Sequence, residues 1–251
     1  MSTNAVPTPT QAADRDVPWL DWNVVADKVN KAWDPENTPH HSIIGLTGSG
    51  KSYLGINGIL KPMCSMDRVV ILDVKRDDKL VSTTGRAVKE LPRSTWYSRM
   101  GRRRDEPMDH WWRIPVYEET RKGQQQVYDV LNRVYQEGNY VLFVDELHYV
   151  TSRERGFLGL GPMMEKIYRY GRNKHISVVA ATQSPRWITG SFYDQASFAW
   201  IGHIRDEVRQ KRLLEIGGMS KKELPYISEL ERRQWLLSAD GGQFFARTKV
   251  T

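Results

Sequence analysis

Residues 45 to 52 read GLTGSGKS, a complete G-x-x-x-x-G-K-[ST] pattern, and this run constrains the fold more than any other part of the chain. Its flanks supply the setting the pattern needs. Ser42 to Leu46 reads as a short buried strand, and Lys51 to Leu60 as a helix that Pro62 stops. A strand turning sharply into a helix aims a row of backbone N–H groups and a helix N-terminus at one point. Gly45, Gly48 and Gly50, interleaved with Thr47 and Ser49, let the loop curl so that its N–H groups face phosphate oxygens. Lys51 then reaches the outer phosphates, and the Ser52 hydroxyl ligates Mg²⁺. The rival is a Gly-rich turn that binds nothing, and the strand-to-helix setting stands against it. The expected ligands are ATP and Mg²⁺.

Strand and helix patterns alternate along the rest of the chain. Arg68 to Val74, Tyr140 to Asp145 and His175 to Thr182 are continuous apolar runs of the kind found inside parallel sheets. Gln124 to Glu137 carries Val127, Val130, Leu131 and Val134 as one helical stripe. Trp22 to Trp33, Pro162 to Tyr170 and Glu207 to Glu215 also read as helices, and Ala196 to Ile201 as a strand. Gln234 to Ser238 and Phe244 to Arg247 form a terminal hairpin turning at Asp240, Gly241 and Gly242. The expected fold is therefore α/β, a mainly parallel central sheet flanked by helices, with ligands beyond the C-terminal strand ends and a C-terminal β-hairpin. One domain is expected over residues 18–251. Residues 1–17 have little to bury and no signal-peptide pattern, so a disordered tail is expected there; residues 75–115 read as an irregular insertion with small local elements.

Three further constellations point to chemistry. YVLFVDE places Asp145 and Glu146 at the end of a buried strand, where Asp145 would hold Mg²⁺ and Glu146 would polarise an attacking water; the rival is a helix N-cap. An adjacent Glu favours hydrolysis over transfer to a bound small molecule. ISVVAATQSP ends in Gln183, an amide placed to sense the γ-phosphate, although a lone Gln at a strand end is more often a loop residue. In IYRYGRNKH, Arg169 and Arg172 lie three apart on one helix face. They either reach a neighbouring subunit's γ-phosphate or cap a helix C-terminus as cations, and the residues alone leave both readings open.

In their order, these motifs resemble the FtsK-HerA superfamily of ring-forming DNA translocases, which includes viral genome-packaging ATPases. The resemblance spans roughly Ile43 to Gly218: GLTGSGKS, then VVILDVKRD with its acidic strand end Asp73, then VLFVDELH, then RYGRNKHISVVAATQSPRWITG. DEVRQKRLLEIGG is similar to a later family segment with an Arg before a Gly-Gly pair, its spacing off by one. The resemblance implies a RecA-like P-loop NTPase of the ASCE type, assembled as a hexameric or pentameric ring, hydrolysing ATP between subunits and moving double-stranded DNA through its centre. Lys51, Glu146 and Gln183 would be its catalytic residues, with Arg169 or Arg172 acting in trans and Arg212 a weaker choice. The family's membrane region, winged helix and N-terminal barrel have no counterpart in the sequence. A bare motor of this size implies a packaging ATPase that docks on a capsid portal or vertex protein, in the host cytoplasm or at the virion vertex.

Composition agrees with a polyanionic partner. Of 251 residues, 37 are Lys or Arg against 30 Asp or Glu, a formal charge of +7. Arg99, Arg102, Arg103 and Arg104, followed by Trp111, Trp112 and Arg113, suit phosphate contact and base stacking, or else form an Arg-rich loop with Trp packed beneath. Arg153 and Arg155 are the rival pore-loop candidates. No base-reading motif accompanies either set, so binding should be independent of sequence. The single Cys64 excludes an internal disulfide or thiolate zinc site, and the histidines form no ligand set, so Mg²⁺ is the one metal expected. No run is long enough for a membrane span, and insertion into a membrane is not expected. Two other functions fit parts of the pattern: a Zot-like assembly or secretion factor acting on protein, or a cellular or conjugative DNA pump. A scaffold without turnover would be expected to have lost one of Lys51, Ser52, Asp145, Glu146 or Gln183.

Overall fold

The computed structural model describes residues 16–32, 38–60, 68–74, 88–90, 111–115, 121–154, 156–183, 185–187, 190–216 and 219–250. The expected architecture is present. Among the described residues, nine strands form one sheet: β1 (His41–Ile44), β2 (Val69–Asp73), β3 (Val88–Glu90), β4 (Trp111–Pro115), β5 (Tyr140–Val144), β6 (Ile176–Thr182), β7 (Phe198–Ile201), β8 (Gln234–Ala239) and β9 (Phe244–Lys249). Their spatial order is β3-β4-β2-β5-β6-β1-β7-β8-β9. Every pairing from β3 across to β7 is parallel, and β7, β8 and β9 pair antiparallel.

The parallel strands are apolar on both faces because helices cover both. On β2, Val70 and Leu72 face one core while Val69 and Ile71 face the other, the period-two alternation of a strand. The first core is closed by α3 (Arg121–Glu137) through Val127, Val130, Leu131 and Val134, and by α5 (Gly161–Tyr170) through Met163, Met164 and Ile167. The second is closed by α1 (Trp22–Lys31) through Val25 and Val29 and by the helix that follows the Gly-rich loop. That helix differs from expectation. It begins as α2 (Lys51–Tyr53) and continues as a π-helix over Leu54–Leu60. Gly55 lies so close to the sheet that a Cβ there would stand 2.4 Å from the Phe143 ring, so a side chain would push the helix off β5.

Within residues 75–115 the small local elements include Val88–Glu90 and Trp111–Pro115, strands that widen the sheet, with Val70 opposite Trp112 and Leu72 opposite Ile114, while residues 75–87 and 91–110 lie outside the described residues. Val17, assigned to the tail, is 1% exposed and belongs to the first core, while residues 1–15 lie outside the described residues. Short helices α4 (Leu147–Thr151), α6 (Gly190–Asp194) and α8 (Leu224–Glu229), together with α7 (Glu207–Ile216), complete the elements. Among the described residues, no helix is long and apolar enough to cross a membrane.

Candidate nucleotide site

The strand order builds the site. β6 lies between β1 and β5, pairing in parallel with both, so its end falls between the Gly-rich loop after β1 and the Asp-Glu pair after β5. Three distant stretches of sequence thereby converge beyond the carboxyl ends of the central strands.

The loop is held by its own backbone. Gly48 and Gly50 adopt φ of +82° and +98°, and Gly50 begins α2 in the left-handed conformation that an L side chain resists. Ser49 donates to the Leu46 carbonyl at 3.2 Å, and Leu54 to that of Gly50 at 2.8 Å. Lys51 is buried, and its ammonium donates to the carbonyls of Gly45 at 2.8 Å and Leu46 at 3.0 Å. These bonds offset the desolvation of a buried cation and keep it over the mouth of the loop.

Ser52 Oγ donates to Asp145 Oδ1 at 2.9 Å across 93 positions of sequence, and Asp145 exposes no surface. A hydroxyl and a carboxylate brought together at a helix N-terminus are hard oxygen donors, the set Mg²⁺ prefers while completing its shell with phosphate and water. The residues present therefore fit the metal.

Glu146 Oε1 accepts from the Gln183 N–H at 3.2 Å and the Thr182 hydroxyl at 3.3 Å. Thr47, in the loop, donates its hydroxyl to Gln183 Oε1 at 2.6 Å. A continuous polar path thus runs from the loop through the end of β6 to Glu146. Thr182 escaped the sequence reading although it adjoins Gln183, because its role depends on β6 lying beside β5.

The arginines separate. Arg169 is half-exposed on α5 and pairs with Glu165 one turn back at 2.7 Å. Arg172, in the 3₁₀ turn Arg172–Lys174, points into its own chain, donating to the Gln195 carbonyl at 2.5 Å and Ser197 Oγ at 3.2 Å, and burial lowers its pKa. Arg212 is part-buried on α7. Arg153 is exposed and lines a cavity of about 520 Å³ with His148, Ser152, Glu154, Glu165 and Phe192, and burial lowers the His148 pKa. Arg155 and the cluster Arg99, Arg102, Arg103 and Arg104 lie outside the described residues.

The aromatic end of that cluster is core. Trp111 is buried, Trp112 packs against the first core, and Arg113 is buried in β4 with Nε at 2.8 Å and Nη2 at 2.6 Å from Asp73 Oδ2. Trp111 and Arg113 are thus removed from any stacking surface and Trp112 is partly so, because β4 pairs with β2 and draws them into the sheet.

No protein-family model and no curated protein matches the sequence. Solved structures do. The chain superposes on the genome-packaging NTPase B204 of Sulfolobus turreted icosahedral virus 2, solved with AMPPCP, at a TM-score of 0.65 and 14% identity, covering 87% of this chain and 99% of B204. The fold is shared. VirB4 of Thermoanaerobacter pseudethanolicus follows at a TM-score of 0.62 and 12% identity, over 89% of this chain and 92% of that one. The pCW3 conjugation coupling protein TcpA, with ATPγS, gives 0.58 and 13%, over 86% of this chain and 61% of TcpA. The fold is that of a P-loop NTPase.

Proposed function

We infer that this chain is a Mg²⁺-dependent ATPase that drives double-stranded DNA, packaging a viral genome into a preformed capsid. The observation that carries the ATPase reading is the convergence of Ser52 on Asp145 at 2.9 Å with Glu146 and Gln183 alongside, beneath a loop that holds Lys51. With Mg²⁺ held by Ser52 and Asp145, the metal would supply Lewis-acid stabilisation of charge on the transferring phosphoryl group. Lys51 neutralises phosphate charge, Glu146 orients and polarises the attacking water, and the Thr47-to-Gln183 bond reports on the loop to the end of β6. In a ring, Arg169 is the better placed of the two helix-end arginines to serve a neighbour, because Arg172 is engaged within its own chain. The charge of +7 and the exposed Arg153 support a polyanionic substrate.

Packaging is put first because B204, a genome-packaging NTPase, superposes at a TM-score of 0.65 against 0.58 for the conjugation coupling protein TcpA. The test is ATP turnover in Mg²⁺ with and without long duplex of arbitrary sequence, with Glu146→Gln as control. Stimulation by any duplex, suppressed by salt and absent in the variant, is expected. Turnover indifferent to DNA would turn the reading toward an ATPase acting on protein.

A further inference from the structure

The C-terminal hairpin reaches the phosphate loop at Gly45 through Trp235 of β8 and at Ser49 and Gly50 through Arg233, in the turn that leads into β8. The Arg233 N–H donates to the Ser49 carbonyl at 2.9 Å, and its carbonyl accepts from Val250 N–H at 3.0 Å, which ties the loop to both ends of the hairpin. Arg233 holds φ at +64°, a conformation uncommon for a residue with a Cβ. Its side chain then runs along the loop: a Cβ on Gly50 would meet Arg233 Cγ at 3.1 Å, and the guanidinium lies 4.0 Å from the centre of the Tyr53 ring. No carboxylate among the described residues forms an ion pair with it.

Position along the loop assigns the task. Lys51 Nζ lies over Gly45 and Leu46, and Ser52 meets Asp145, which marks the side of the outer phosphates. Arg233 lies against the other stretch, Ser49, Gly50 and Tyr53, where loop and helix N–H groups face the inner phosphates. We propose that Arg233, steadied on the Tyr53 ring, binds the α-phosphate and nucleoside end of the nucleotide within the same chain. The proposal rests on the nucleotide-site reading and adds a ligand contact from a segment outside the motifs. A guanidinium is suited to this place because it donates to phosphate oxygens in its plane and stacks on an aromatic through its face.

The test is titration of ATP and of ADP into the full chain and two variants, Arg233→Gly, which suits the positive φ, and Arg233→Gln, which keeps the stem and removes the charge. Melting without nucleotide identifies whichever variant folds. Affinity for ATP and ADP is expected to fall by the same factor, about tenfold, with kcat at saturation within about threefold, the pattern of lost uniform binding. Affinities of both nucleotides within about twofold of the parent overturn the proposal, as does a loss confined to ATP, which would place Arg233 at the γ-phosphate. If the parent chain binds neither nucleotide, the site reading itself falls, and this one with it.

Discussion

Asp73 and Asp145 stand at the C-terminal ends of two strands that pair with each other, β2 and β5, and neither exposes any surface. The backbone joins them as well, Asp145 N–H donating to the Leu72 carbonyl at 3.3 Å. Asp73 meets a buried guanidinium, that of Arg113, at 2.6 Å, whereas Asp145 meets a hydroxyl, that of Ser52, at 2.9 Å. An Arg within contact neutralises its carboxylate, while a hydroxyl brings no charge of its own. On the proposed function, the same position in the sheet would serve packing at one strand and metal binding at its neighbour, with the partner making the difference.

Exchanging the consequences would break that comparison. Asp145→Asn is expected to lower Mg²⁺-ATP turnover by on the order of 10³-fold while leaving the melting temperature close to the parent's. Asp73→Asn should do the reverse: about 3 kcal/mol of stability lost in denaturant titration, because Arg113 stays buried without its counter-charge, and turnover per folded molecule kept. Near-equal losses of stability in the two variants would erase the distinction.

The opposite end of the sheet offers a sharper version, since buried groups there are neutral. His40 Nδ1 accepts from Val178 N–H at 3.1 Å and its Nε2 faces the Tyr168 carbonyl at 3.1 Å, while His41 Nδ1 accepts from Trp200 Nε1 at 3.2 Å. Burial lowers both to about 3, with Arg172 adding to the effect on His40 and His40 to that on His41, against the Tyr168 carbonyl. The unfolded chain takes up protons near the ordinary value of 6.5 and the folded chain does not. Stability from this pair is thus complete above that value and falls as pH drops toward 3, by up to about 1.4 kcal/mol per pH unit for each histidine. Denaturant midpoints at pH 7.5, 6 and 5 check this, and a flat profile would contradict it. The smallest effect is expected from Thr47→Val, which removes one hydrogen bond to Gln183: about fivefold in turnover, with ATP affinity unchanged. A Thr47→Ser variant should recover most of that loss.

The legible part of the molecule is its centre. GLTGSGKS prescribes its own backbone, and VVILD, YVLFV and ISVVAAT announce buried parallel strands through composition alone. The β8-β9 edge was legible as a hairpin, and the opposite edge, β3 and β4, was not. WWRIP reads either as a nucleic-acid surface or as Trp packed beneath an Arg-rich loop, because Trp and Arg side by side suit stacking and phosphate contact as well as burial, and only the pairing of β4 with β2 makes Trp111 core and gives Arg113 a partner. Arg233 carried no local signal, since its relevance comes from a turn folded back onto a loop far earlier in the chain.

By itself the sequence determined the phosphate loop, the periods of the strands and helices, and the acidic and amide residues that end β5 and β6, because each depends on neighbours within a few residues. Tertiary structure decided that β6 separates β1 from β5, that Glu146 rests on Thr182 and Gln183, and which aspartate receives a cation and which a hydroxyl. Those are pairings between strands remote in the chain, and they are settled by which apolar faces can be buried together, a property of the whole sheet rather than of any one segment.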